Sequence, residues 1–297
     1  MNYLKENIPM LKSVSSITKI NKGFSNDQKY VIDDKYLIRV FSSENKSCRQ
    51  EEFHIIQKLN RFSDYVPEAI DFGTLSNMEQ SYMILTYFPG EDGETSLKEL
   101  TEGAQYKAGF TAGNELKKLH ELIAPEDTPP WYEHKKQKTE KYLEELELIN
   151  VEKSLKKMLT SCIRENEMLM KGRPNTFQHD DFHPANLLIH RQKFAGIIDF
   201  QRMDWGDPIH DLHKLGFFSS RISVPFTRGI VDGYHSDSSL GDSFWELYLL
   251  YSAIHIVSAL VWGKRMGIYE KMLTYSMDVV RDHDHFERIV PKWYSDS

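Results

Sequence analysis

The amino-acid sequence predicts an α+β chain in two lobes, a small antiparallel-sheet lobe over residues 1–88 and a larger, mainly helical lobe over residues 89–297. Three observations carry this prediction. Short runs of β-branched and aromatic residues crowd the first 88 positions, a helical apolar periodicity dominates the remainder, and Pro89-Gly90 marks the change between them. A length of 297 residues also matches about two domain-sized units.

The strand candidates are residues 30–32, 36–41 and 81–88, each bounded by Gly or by Asn and Asp turns. Between the second and third, residues 51–59 place Phe53, Ile56 and Leu59 on one face at helical spacing. A hinge is expected over residues 86–93, followed by helices over 106–123, 138–148, 151–170 and 247–262. The last is the most apolar stretch, but its 16 residues contain Ser252, His255 and Ser258 and fall short of the roughly 20 that cross a bilayer, so it reads as a buried helix. The charged tract 133–147 reads as the solvated face of a helix. Tyr248, Tyr251, Trp262 and Tyr275 read as core aromatics, and His120 and His213 as residues packed within helices.

Composition narrows the function. With 40% hydrophobic and 12% aromatic residues the chain can fill a core. A net charge of −7 and a pI near 6.0 argue against a broad nucleic-acid-binding face, which needs a basic patch. Only Cys48 and Cys162 occur, too few for a disulfide framework, and the N-terminus carries no apolar signal-peptide core. The expectation is a cytoplasmic protein, monomer or homodimer, with neither nucleic acid nor membrane as partner.

One segment carries chemistry. Residues 178–186 read Gln-His-Asp-Asp-Phe-His-Pro-Ala-Asn and contain H-x-D-x-x-x-x-N; Asp199 closes the apolar run Gly196-Ile197-Ile198, thirteen residues beyond Asn186. Phosphoryl transfer needs a carboxylate that accepts or orients the attacking hydroxyl's proton, and hard oxygen ligands that hold Mg²⁺ on the phosphates. Asp181 would be the first, and Asn186 and Asp199 the metal ligands. Residues 186–190 and 193–198 read as a hairpin that carries these ligands at its ends.

From His179 through Trp205-Gly206-Asp207-Pro208-Ile209-His210-Asp211-Leu212, the chain resembles the aminoglycoside phosphotransferase family, small-molecule kinases distantly related to protein kinases. The resemblance implies a protein-kinase-like two-lobe fold. It matches Asp181 with the catalytic base, Asn186 and Asp199 with the metal ligands, His179 with the loop-positioning histidine and Asp211 with a buried acid that braces the loop. The family usually has Gly between the His and the Asp; this chain has Asp180, a residue type that tolerates left-handed backbone better than most. Two adjacent carboxylates then compete, and Asp181 is preferred because it alone lies five residues before Asn186. His183 either touches phosphate or packs. Asp207 is expected to fix a turn or cap a helix.

In the first lobe, Gly23, Ser25 and Asn26 lie in a turn whose backbone N–H groups would meet the nucleotide's phosphates. Arg39 stands where such enzymes usually carry Lys, and would pair with phosphate and with Glu52, Glu51 being the competitor. Backbone groups of Thr86, Tyr87 and Phe88 would hold adenine. The implied reaction is Mg²⁺-dependent transfer of the γ-phosphate of ATP or GTP to a small-molecule hydroxyl. A protein kinase, which needs a long activation segment, is disfavoured because Gly206-Asp207-Pro208 begins only seven residues after Asp199, which leaves little room for a peptide-docking platform. An aminoglycoside-type acceptor is expected ahead of a macrolide, an amino alcohol or a sugar, since residues 229–297 hold ten Asp or Glu against six Lys or Arg and an acidic surface gathers cations.

Overall fold

The computed structural model describes residues 2–21, 26–76, 79–237 and 240–296. In chain order the first part is α1 (Asn2–Asn7), β1 (Ile17–Ile20), β2 (Gln28–Ile32), β3 (Tyr36–Ser42), α2 (Lys46–Leu59), β4 (Ala69–Thr74) and β5 (Gln80–Thr86). The five strands form one antiparallel sheet in the order β1-β2-β3-β5-β4. Its strands read as nearly continuous apolar runs because both faces are covered. Tyr30, Ile32, Ile38, Val40, Tyr82 and Ile84 pack outward beneath Leu4, Ile8 and Leu11 of the N-terminal segment. Phe41, Met83 and Leu85 alternate to the other face and meet Phe53, Ile56 and Leu59 of α2. The helix is longer than the predicted 51–59, and β5 stops at Thr86, so Tyr87 and Phe88 are not strand.

Next come β6 (Glu91–Asp92), α3 (Gly93–Ser96), α4 (Glu102–Leu119), α5 (Trp131–Leu148), α6 (Lys153–Asn166), β7 (Thr176–Gln178), β8 (Leu187–His190), β9 (Lys193–Ile197) and β10 (Asp204–Gly206). The chain closes with α7 (Val224–Tyr234), α8 (Asp242–Arg265), α9 (Tyr269–Asp282) and α10 (Lys292–Ser295). The expected β8–β9 hairpin is present, and β7 pairs with β10. Helix α5 begins seven residues ahead of the predicted 138, and its supposedly solvated tract buries Lys135, Thr139, Leu143 and Leu146. Tyr248 and Tyr251 are fully buried on α8, whereas Trp262 is exposed. Helix α8 is long and apolar enough to cross a bilayer, yet most of it is buried against the helices around it.

Two features of this part position the site. The hydrophobic cluster beneath the sheet continues through Leu116, Phe177, Phe182, Leu187, Ile197 and Phe200, so one core runs from the strands to the loop after β7. Helices α4 and α7 also cross backbone to backbone. A Cβ at Gly109 would collide with the Phe226 carbonyl, one at Gly113 with that of Ile230, one at Gly229 with that of Tyr106 and one at Gly233 with that of Phe110. This reciprocal contact brings the ends of both helices, His120 and Tyr234, to one point. Gly233→Ala should therefore cost about 1–3 kcal/mol in chemical denaturation, whereas Gly103→Ala, where an added Cβ meets no atom within 4 Å, should cost nothing.

Candidate active site

The loop over residues 179–186 hangs between β7 and β8, irregular except for a 3₁₀ turn over Pro184–Asn186, and buried polar groups fix it from behind. Asp211 is the anchor. Its Oδ2 accepts the His179 N–H and its Oδ1 the Asp180 N–H, both at 2.6 Å. The imidazole of His120 donates to Oδ2 at 3.0 Å through Nε2 and accepts the Tyr234 hydroxyl at 2.7 Å through Nδ1. His120 thus has more than a packing role, which helical periodicity had concealed.

His179 is completely buried, and burial pushes its imidazole pKa down, so the ring is neutral. Its Nδ1 accepts the Asp181 N–H at 3.2 Å and its Nε2–H donates to the Ile198 carbonyl at 3.0 Å. One ring therefore ties the residue before Asp199 to Asp181. The Ile198 N–H donates to the Asn186 carbonyl at 3.0 Å, and Asn186 Nδ2 donates to the Asp181 carbonyl at 2.9 Å and to Oδ2 at 3.2 Å. These bonds join Asp181 and Asn186 directly and reach Asp199 through its neighbour Ile198.

Asp180 and Asp199 both have left-handed backbone, with φ of 53° and 66°. Asp tolerates this region better than most residues, so a side chain where the resembled family has Gly leaves the turn intact. The two neighbouring carboxylates diverge. Asp180 faces His210 Nδ1 at 3.5 Å, and His210 Nε2 accepts from Lys135 Nζ at 2.6 Å. Burial lowers the Lys135 ammonium pKa to about 7, with Lys138 adding to the shift. Asp181 faces Lys214 Nζ at 2.7 Å, His183 Nε2 at 3.4 Å and Arg202 Nε at 3.8 Å. Burial acts to raise the Asp181 carboxyl, but the His183 hydrogen bond and the Lys214 charge outweigh it and hold the group well below the usual carboxylate range. The His183 ring packs on Phe218 with centroids 5.0 Å apart.

Lys214 was not foreseen. It is buried and also donates to the Asp180 carbonyl, so its ammonium clamps both residues of the Asp pair. The available signal was a lone Lys inside the run Leu212-His213-Lys214-Leu215-Gly216-Phe217 directly after Asp211: a charge buried among apolar neighbours needs a partner. Asp207 caps the following turn at Ile209 N and also accepts from Arg173 and Tyr251.

On the sheet side, Arg39 Nη1 donates to Glu52 Oε1 at 2.6 Å. Glu52 is buried and Glu51 exposed, which settles the competition between them. The rest of the Arg39 fork departs from expectation. Its Nε and Nη2 both donate to Asp27 Oδ2, at 3.1 and 2.7 Å, and Arg49 closes a ring by donating to Asp27 at 2.9 Å and to Glu52 at 3.0 Å. The expected phosphate turn is only partly visible: Asn26 is exposed, while Gly23 and Ser25 lie outside the described residues. The Thr86 N–H is taken by the Glu68 carbonyl and that of Tyr87 by the Lys35 carbonyl, so these two donors are already engaged. The Phe88 ring packs against Gly196 on β9, where a Cβ would strike it.

The phosphotransferase enzyme family is matched over residues 16–245, more than three quarters of the chain. The chain belongs to this family. No curated protein matches it. Among solved structures, the GDP and kanamycin complex of APH(2″)-IIIa superposes with a TM-score of 0.72 at 18% identity, over 95% of this chain and 98% of that one. The streptomycin–ATP ternary complex of APH(2″)-IIa gives 0.67 at 15% identity over 99% and 96%. A thermostable APH(4)-Ia in ternary complex with AMP-PNP and hygromycin B gives 0.66 at 14% identity over 94% and 96%. At these identities the likeness establishes the two-lobe kinase-like fold.

Within a phosphotransferase, the Lys214 clamp has a measurable consequence. Lys214→Met should lower kcat by about 10–100-fold, the scale of losing a charged hydrogen bond, and leave the KM for nucleotide within about threefold. Steady-state kinetics with each substrate varied checks this, and a rise confined to nucleotide KM would contradict it.

Proposed function

We propose that this phosphotransferase moves the γ-phosphate of ATP or GTP to a hydroxyl of a small molecule, with the 179–186 loop and Asp199 as its reaction centre. The observation that carries the reading is one set of bonds: His179 ties Asp181 to Ile198, the residue before Asp199, and Asn186 bonds Asp181 and, through its carbonyl, the Ile198 N–H.

Asp181 orients the acceptor hydroxyl and draws its proton as the new P–O bond forms. A carboxyl held so acidic is a weak base, which suits a loose transition state in which the hydroxyl loses its proton late. Asn186 spends its NH₂ end on Asp181, which leaves its amide oxygen free to join the Asp199 carboxylate as the hard oxygens that would hold Mg²⁺. When bound there, Mg²⁺ neutralises and aligns the β- and γ-phosphates. His179 and Asp211 hold the loop so that no reorganisation is needed at the moment of transfer. His183 restrains Asp181 through Nε2 and is itself held by Phe218.

Aminoglycoside-type compounds are the first acceptors to test, since the structural neighbours were solved with kanamycin, streptomycin and hygromycin B. The acidic excess over residues 229–297 adds little to this choice. Asp237, Asp278, Asp284 and Asp296 are spent on Lys117, Arg221, Lys292 and Arg288, and the charges that touch Asp181 are basic. Macrolides, amino alcohols and sugars therefore belong in the same panel. Both cysteines are free thiols, in keeping with the reducing cytoplasm in which we place the protein.

The test is transfer of labelled γ-phosphate from ATP and GTP across that panel. Turnover of one acceptor class is expected, with Asp181→Asn slower by about 10²–10⁴-fold while nucleotide binding persists, and Asp199→Ala deficient in Mg²⁺-dependent nucleotide binding. No transfer to any acceptor, or half the rate retained in Asp181→Asn, contradicts the proposal.

A further inference from the structure

The cation expected to meet the nucleotide's phosphates spends three of its five N–H donors inside its own lobe. Arg39 aims three N–H donors at Asp27 and Glu52, both carboxylates are shared with Arg49, and the four charges cancel within a largely buried ring. Turning Arg39 toward a ligand would leave two buried carboxylates with one cation between them, an arrangement that costs far more than a surface ion pair. Arg39 therefore serves the sheet and α2.

Strand β2 offers the alternative. In the antiparallel register Lys29 is the direct partner of Arg39, so the two side chains leave the sheet from the same face. That face is the one opposite the N-terminal segment, because the alternating neighbours Tyr30, Ile32, Ile38 and Val40 all pack with Leu4, Ile8 and Leu11. Lys29 lies three residues after Asn26 and is half-buried. Among the described residues it forms no ion pair, unlike its neighbours Arg39 and Arg49. Burial lowers its ammonium pKa; the carboxylate that most opposes this is Asp199, across the cleft on the other lobe, ahead of Asp27. A partly desolvated ammonium that forms no ion pair among the described residues, on the same sheet face as Arg39, is matched by a polyanion bound on that face.

We propose that Lys29, in place of Arg39, supplies the cationic contact to the polyphosphate chain of the nucleoside triphosphate, and that Arg39 is the clamp that holds α2 to the sheet. This rests on the phosphotransferase reading, because it takes the nucleotide as ligand. The lysine's flexible stem lets its point charge follow the phosphates while the guanidinium stays fixed.

Isothermal titration with Mg·AMP-PNP and with adenosine tests it without turnover. Lys29→Met should weaken AMP-PNP binding by about 10–100-fold, leave adenosine affinity and the thermal midpoint unchanged, and be largely repaired in Lys29→Arg. Arg39→Met should instead lower the thermal midpoint by several degrees. Wild-type protein that binds AMP-PNP with Lys29→Met unaltered, or with adenosine weakened equally, overturns the inference and leaves the proposed function standing. Wild-type protein that binds neither ATP, GTP nor AMP-PNP overturns the proposed function, and the inference with it.

Discussion

The arrangement of the whole site depends on one buried carboxylate. Asp211 accepts two consecutive backbone N–H groups, those of His179 and Asp180, and a third donor from His120. Hydrogen bonds to an ionised acceptor are short and about twice as strong as neutral ones. The loop needs them, because Asp180 sits in left-handed backbone and neither helix nor ladder bonds fix the residues around it. The support is itself supported. His120 reaches Asp211 because α4 and α7 pack with glycine backbones in contact, and Tyr234 at the end of α7 completes its hydrogen bonds. Packing energy spent far from the reacting atoms thus fixes where Asp181 stands.

Charge is managed differently on the two sides of the cleft. The sheet lobe buries two cations and two anions in a closed, neutral ring, which binds α2 to β3 but leaves little charge to offer a ligand. On the loop side the balance is local and open. Lys214 neutralises Asp181, and Lys135 reaches Asp180 only through the imidazole of His210. Burial keeps His210, His213 and His255 neutral, so this cluster can hold its hydrogen bonds without piling up positive charge beside the loop.

Much of this was legible in the sequence, and what was missed shares a physical cause. Asp181, Asn186 and Asp199 fall within nineteen positions, at spacings that one loop and one hairpin impose, so they could be read directly. Lys214 meets that loop from 33 residues away in sequence, His120 reaches the Asp211 that braces it from 91 away, and no period in the chain marks such contacts. Helix α7 escaped because Pro225, Gly229 and Gly233 lower its local helix propensity, although the last two are what its packing requires. The early start of α5 carries no side-chain capping signal, because the residue at its N-cap position is Pro130. Arg39 was assigned to phosphate by analogy of position, and only the fold could reveal Asp27 opposite it.

On the hydrogen bonds above, the Asp211 carboxylate holds the loop that carries Asp181. The most direct measurement is hydrogen exchange of the 179–186 amides in Asp211→Asn, read alongside phosphate transfer by the same preparation. An amide in place of the carboxylate keeps one acceptor and turns a donor against the N–H of His179 or Asp180. The expected result is faster exchange confined to that loop, preserved protection in β2, β3 and β5, and transfer reduced by at least about 100-fold. Unchanged loop protection together with wild-type turnover would contradict it.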